Sequence, residues 1–234
     1  AAWTMTSGEA TMSVHEALIT RRSVRRFLDR PVPEESVLRI LRGAAQSPSG
    51  HNIQPWKVYV VSGVTKQKVT ESILDAVAND PEEMHQPEFD YYPSEWFEPY
   101  LGRRRQVGSG LYECLGIKRD DHEARTQQMN ENFRFFGAPM GMFITFDRRL
   151  ATGTFMDIGM FLQSLLVGAR AEGLDTCGQA IFTWYHRVIR ELLPMADGEL
   201  LACGLSLGYA DEDAPENALI ASKLSVESFT TFLK

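Results

Sequence analysis

The chain has 234 residues, 44% hydrophobic and 24% charged, the proportions of a globular protein long enough to bury a substantial core. Its formal net charge of -7 argues against a general nucleic-acid binder, whose non-specific affinity comes from a basic surface. Three scattered cysteines and five scattered histidines argue against a disulfide framework or a motif-spaced metal site, and point to a reducing compartment such as the cytoplasm.

Residues 1–12 have no charged-then-apolar pattern and are expected to form a disordered leader before one domain over 13–234. Ser13 is expected to cap a helix running to Arg22, with Ala17, Leu18 and Ile19 on its apolar side. The helix end delivers Arg21-Arg22-Ser23-Val24-Arg25. Guanidinium forks and a hydroxyl offer the donors that a phosphate monoester needs, although the same residues suit a solvated helix face. Pro33 to Gln46 predicts a second amphipathic helix on Val37, Leu41 and Ala44/Ala45. Ser47 to Pro55 is a polar loop, and Trp56 to Val61 alternates like a strand. Thr65 is expected to cap a third helix through Val69, Ile73 and Val77, broken at Asn79-Asp80-Pro81.

From 81 to about 121 the composition shifts to acids, tyrosines and prolines without strong periodicity, which reads as an inserted lid or arm. A helical pattern returns near Ala124, with Met129, Phe133 and Phe136 on one face, and stops at Gly137-Ala138-Pro139. Gly141 to Phe146 reads as a buried strand. Phe155 to Glu172 is an apolar helix with Gly173 at its C-terminal cap, interrupted by Asp157, Gln163 and Arg170 and too short to span a membrane. Leu174 to Phe182 is a short apolar segment, Thr183 is placed as the cap of a helix ending at Pro194, and Leu200 to Tyr209 is a strand. Ser225 is expected to cap a short helix carrying Val226, Phe229 and Phe232. Strands this far apart, mixed with helices without βαβ alternation, imply an α+β fold of layered sheet and helices.

Four segments in order resemble the nitroreductase family of flavin-dependent oxidoreductases: Arg21 to Arg25; Ser47-Pro48-Ser49-Gly50-His51-Asn52-Ile53-Gln54-Pro55-Trp56; Phe135-Phe136-Gly137-Ala138-Pro139; and Asp157-Ile158-Gly159 through Gly173-Leu174-Asp175-Thr176. The resemblance implies a central, mostly antiparallel sheet flanked by helices, in an intertwined homodimer with FMN in the interface. It implies a ping-pong reaction in which NADH or NADPH gives hydride to flavin N5 and a nitroaromatic or quinone then accepts the electrons. Alternatives within the fold are reductive dehalogenation or fragmentation of the flavin, and outside it a non-catalytic flavin binder. It places Arg21, Ser23 and Arg25 at the flavin phosphate and pyrimidine, with backbone contacts from Arg22. It gives Pro48, Ser49 and Asn52 to the partner's flavin, supported by Gln54. Asn132, with Asn130 in reserve, falls near the flavin's polar edge, the amides of Gln179 and Ala180 beside N5, and Lys223 where relatives have an arginine. Because the cofactor carries the redox chemistry, no side-chain nucleophile or metal is demanded.

Two features of the residues themselves stay open. Arg103-Arg104-Arg105 suits the 2′-phosphate of NADPH or an acidic substrate, and equally a solvated face. Trp96, Tyr91, Tyr92 and Phe97 suit either a lid over the flavin or packing of the arm itself.

Overall fold

The structure, a computed structural model, describes residues 12–234, so the expected leader as far as Thr11 lies outside the described residues. Four strands make up the described sheet: β1 (Lys57–Ser62), β2 (Met140–Asp147), β3 (Asp175–Gln179) and β4 (Glu199–Gly208). Their order is β1-β2-β4-β3 and every pair is antiparallel. Successive side chains of a strand point to opposite faces, and in β2 both faces are apolar. Met142, Ile144 and Phe146 enter one core with α2 (Glu34–Ala44) and α6 (Thr154–Ala171), while Phe143 enters the other with α3 (Gly63–Asn79) and α7 (His186–Leu192). Helices therefore cover the sheet on both sides, as the α+β reading requires.

Local chemistry sets most boundaries. The hydroxyl of Ser13 accepts from Glu16 N at 3.2 Å and starts α1 (Val14–Thr20). Ile158, Phe161, Leu165 and Ala169 bury one stripe of α6, which stops where Gly173 takes φ +74°. Several expectations are corrected. The first helix ends at Thr20, so Arg21 is already extended, and of its expected apolar side only Ala17 is buried. Leu18 is 46% and Ile19 68% exposed. The third helix starts behind Ser62 at Gly63, whose φ of +50° turns the chain straight off β1, leaving Thr65 inside the helix. The arm contains a helix the periodicity did not show, α4 (Tyr100–Cys114), which buries no residue.

α5 (His122–Asn130) is shorter than expected, and Phe133 and Phe136 reach the core from tight turns after it, with Phe135 and Phe136 both at φ +54°. Thr183 does not cap α7; its hydroxyl bonds the Ala180 carbonyl at 2.8 Å within a 3-10 segment, Ala180–Tyr185. The expected C-terminal helix is one 3-10 turn, Val226–Ser228, with Phe229 and Phe232 exposed. Among the described residues no helix is long and apolar enough to cross a membrane.

The Phe135 ring is fully buried against Phe143 and Phe182, and it lies where a side chain on Gly141 of β2 would go. A Cβ there would meet the ring at 2.1 Å. Gly141→Ala is therefore expected to cost about 1–3 kcal/mol through overpacking. Urea denaturation checks this, and an unchanged midpoint would contradict the packing described.

Candidate cofactor and substrate site

Past Arg21 the chain runs extended between β3 and the 209–217 segment. Ser23 forms a parallel bridge with Thr176, Val24 N donates to the Thr176 carbonyl at 3.0 Å, and Leu28 N donates to the Tyr209 carbonyl at 2.9 Å. An extended chain sorts residues by alternation, and here it sorts the arginines by charge environment. Arg22 pairs with Glu212 and donates to the Asn217 carbonyl at 3.0 Å. Arg26 pairs with Glu216 at 3.0 Å and Glu131 at 3.4 Å. Val24 between them is fully buried. Arg21, Ser23 and Arg25 have the opposite parity, and among the described residues neither Arg21 nor Arg25 has a carboxylate within 4.0 Å.

Burial pushes the Cys177 thiol of β3 up to about 11, and the positive charges of Arg25 and Arg21 oppose that rise. Three donors of the expected set thus share an uncompensated positive side. Arg22 instead spends its side chain on the fold.

The Ser47 to Trp56 loop is docked onto α6 by the other half of the sequence pattern. Asp157, buried, accepts from Gly50 N at 3.1 Å; Ser47 donates to the Ser164 hydroxyl at 2.8 Å; and Trp56 stacks on Phe161 at 4.7 Å with rings 10° from parallel. Its tip points away from its own chain: Pro48, Asn52 and Gln54 are exposed. His51, Asn52 and Gln54 all hold positive φ, near +50°, a strain that persists where surrounding structure over-determines it. Ser49 uses its hydroxyl to accept from Gln54 N at 2.9 Å, so both belong to the loop's own scaffold.

Asn132 and Gln179 are brought into contact. The Gln179 amide donates to the Asn132 carbonyl at 2.8 Å and its oxygen accepts from Ser206 at 2.5 Å. This buried side chain is fully occupied, and it fixes the main chain of Gly178, Gln179 and Ala180. These three residues line a cavity of about 1080 Å³, walled also by Asn130, Asn132, Tyr91, Tyr92 and Tyr185. A second depression of about 660 Å³ shares residues 178–180 and Tyr91 and Tyr92, and is closed by Phe155 and Ile158 of α6. Arm and body are joined below this wall, where Glu88 meets Arg148 at 2.8 Å, His186 at 3.4 Å and Arg190 at 3.7 Å. Burial depresses the His186 pKa, against the pull of Glu88.

A family model described as the Nitroreductase family matches residues 18–209. The chain belongs to that family. Among curated relatives, this nitroreductase-family chain is 39% identical to the nitrobenzene nitroreductase of Ectopseudomonas oleovorans, over 94% of this chain and 96% of the relative. It is 38% identical to the chloronitrobenzene nitroreductase of Comamonas testosteroni, over the same shares. Among solved structures it superposes on the FMN- and NADPH-dependent nitroreductase NfnB of Sphigopyxis sp. strain HMH with TM-score 0.91 and 37% identity, covering 95% of this chain and 100% of that one. On NfnB of Mycobacterium smegmatis in complex with NADPH the TM-score is 0.88 at 32% identity, covering 94% and 98%.

On the single chain not every expected residue of this nitroreductase-family protein is brought together. Lys223 lies in an exposed C-terminal stretch, and the described residues give it no hydrogen bond or ion pair near Arg21 or Arg25. Of the arm arginines only Arg104 lines the cavity; Arg103 stands over Tyr100 and Arg105 is exposed. Trp96 is not part of the cavity wall but carries Arg104 on its ring face at 4.8 Å. Arg125, Tyr112 and Trp184 also line the cavity, without any sequence signal pointing to them.

Proposed function

We propose that this chain is an FMN-dependent nitroreductase that takes hydride from NADPH or NADH and reduces nitroaromatic acceptors, with quinones as further acceptors, in ping-pong order. The observation that carries this is the side of the basic strand formed by Arg21, Ser23 and Arg25, where neither guanidinium meets a carboxylate among the described residues and which the Ser23–Thr176 bridge lays along β3, the strand that ends at Gln179. Two guanidinium forks and a hydroxyl match a phosphate dianion in charge and in donor geometry, so the donor set fits FMN. When bound, FMN supplies the hydride-accepting N5 and the two-electron chemistry. The chain's own residues do the remainder. Arg21 and Arg25 hold the anion, and Gln179, locked by Asn132 and Ser206, keeps the amides of Gln179 and Ala180 in place. Tyr91, Tyr92 and Tyr185 exclude water from the face where donor and acceptor bind in turn. The names of the relatives, which specify nitroarenes, FMN and NADPH, support the same activity.

The proposal includes a homodimer, a cytoplasmic setting and a lid role for residues 81–121. Ile19, Met156 and Phe232 stand largely in solvent on the single chain, and the exposed Pro48, Asn52 and Gln54 are available to a partner's flavin. Anaerobic titration tests the activity: protein loaded with FMN is expected to lose its flavin absorption on adding NADPH or NADH, and to regain it on adding nitrobenzene. Bleaching by neither nicotinamide contradicts the reading.

A further inference from the structure

The cavity over residues 178–180 exceeds what one aromatic ring needs. Its volume, about 1080 Å³, lies just above the ~300–1,000 Å³ range of sites for drug-sized ligands. Two guanidiniums line it, Arg104 from α4 and Arg125 from α5. Arg104 stands 4.8 Å from the Trp96 ring centroid and Arg125 3.8 Å from that of Tyr112. A cation–π contact holds a guanidinium in place without supplying an oxygen to its N–H fork. Among the described residues neither side chain donates a hydrogen bond or has a carboxylate within 4.0 Å. Glu82 and Asp90 line the same cavity yet pair with neither. By contrast Arg22, Arg26, Arg148 and Arg190 all have carboxylate partners.

We infer that Arg104 and Arg125 form an oxyanion subsite of the substrate cavity, which takes a phosphate of the nicotinamide donor or the carboxylate of an acidic nitroarene. Both groups present paired oxygens to a planar fork, so one subsite serves either. The activity assay for this inference rests on the proposed nitroreductase function, while the binding assay does not.

Titration calorimetry of the FMN-loaded protein with 2′,5′-ADP and with benzoate is the binding test. The wild type is expected to bind at least one of them, and Arg104→Gln and Arg125→Gln to weaken it about tenfold or more, the worth of a lost charge-assisted hydrogen bond. Arg104→Lys and Arg125→Lys, which keep the charge and lose the fork, are expected to recover part of the affinity. Circular dichroism confirms that each variant is folded, and Arg119→Gln, an exposed arginine between the two helices, serves as the control. In turnover, a fall in the NADPH-to-NADH ratio of kcat/KM assigns the subsite to the donor's phosphate. A fall in the 4-nitrobenzoate-to-nitrobenzene ratio assigns it to the acceptor's carboxylate. If the wild type binds neither anion, if the variants bind as the wild type does, or if neither ratio moves, the subsite is wrong. A protein that reduces no nitroarene but loses anion binding in the variants refutes the proposed activity and keeps the subsite.

Discussion

Glu199→Ala is expected to lower the free energy of unfolding by about 3 kcal/mol, the scale for stripping partners from a buried carboxylate network. Glu199 opens β4, is 3% exposed, and accepts from Thr145 at 2.6 Å, from Lys57 and Tyr59 at 2.9 Å, and from Ala196 N at 3.3 Å. One carboxylate thus ties β1, β2 and β4 together at the end of the sheet. Removing it leaves the fully buried Thr145 hydroxyl without its acceptor.

Burial alone would push the Glu199 carboxyl up, but the hydrogen bonds from Thr145, Lys57 and Tyr59 outweigh it and hold the pKa below its usual value. Tyr59, through burial first and then its bond to Glu199, is pushed up to about 12. The signs differ. The Glu199 contribution is present above the ordinary glutamate pKa of about 4.3 and is lost as pH falls through the lowered folded value. The Tyr59 contribution is complete below the ordinary tyrosine pKa of about 10 and is lost as pH rises through the raised folded one. Urea midpoints measured across pH should show both losses in the wild type, and a weaker acid dependence in Glu199→Gln. A midpoint for Glu199→Ala equal to that of the wild type would remove the network from the account of stability. The same region carries the arm: Arg148 and Arg190, which donate to the Glu199 carbonyl at 2.8 and 2.7 Å, also reach Glu88.

Elements that bury a regular stripe were legible from residues alone. α2 and α6 follow from apolar spacing, and β2 from an unbroken apolar run, because each answers to a core layer at its own period. α4 was not legible for the complementary reason: it buries no residue and contains Gly102, Gly108 and Gly110, so no stripe marks it. Phe133 and Phe136 matched a helical spacing by coincidence, since the chain between them turns through φ +54° at Phe135 and Phe136, a conformation that apolar spacing does not encode. Thr65 and Thr183 are good capping residues in the wrong place, each overtaken by a helix start that neighbouring geometry sets. Among the proposed phosphate contacts, Arg21, Ser23 and Arg25 fall at every second position, a period of two visible in the sequence. What was not visible is that Glu212, Glu216 and Glu131, distant along the chain, neutralise only the other parity. Arg125 of α5 and Tyr112 of α4 carry no motif, so only their shared cavity wall exposes them.

That division of parity makes the second large prediction sharp. Arg21→Ala is expected to weaken FMN binding about 10–100-fold, the value of one or two charge-assisted hydrogen bonds to a phosphate, while the apo protein unfolds near the wild-type temperature. Arg21 forms no ion pair among the described residues, so its removal leaves no buried carboxylate unpaired. Arg22→Ala should behave in the opposite way. It breaks the pair with Glu212 and the bond to the Asn217 carbonyl that holds the 209–217 segment against the basic strand, so it should act first on stability. Quenching of flavin fluorescence on titrating apo protein with FMN measures the first quantity, and thermal unfolding of the apo protein the second. If Arg21→Ala loses fold and flavin together, its side chain supports the strand and does not hold the phosphate. If Arg21→Ala and Arg22→Ala weaken FMN equally at equal stability, alternation along the strand does not decide which guanidiniums face the cofactor.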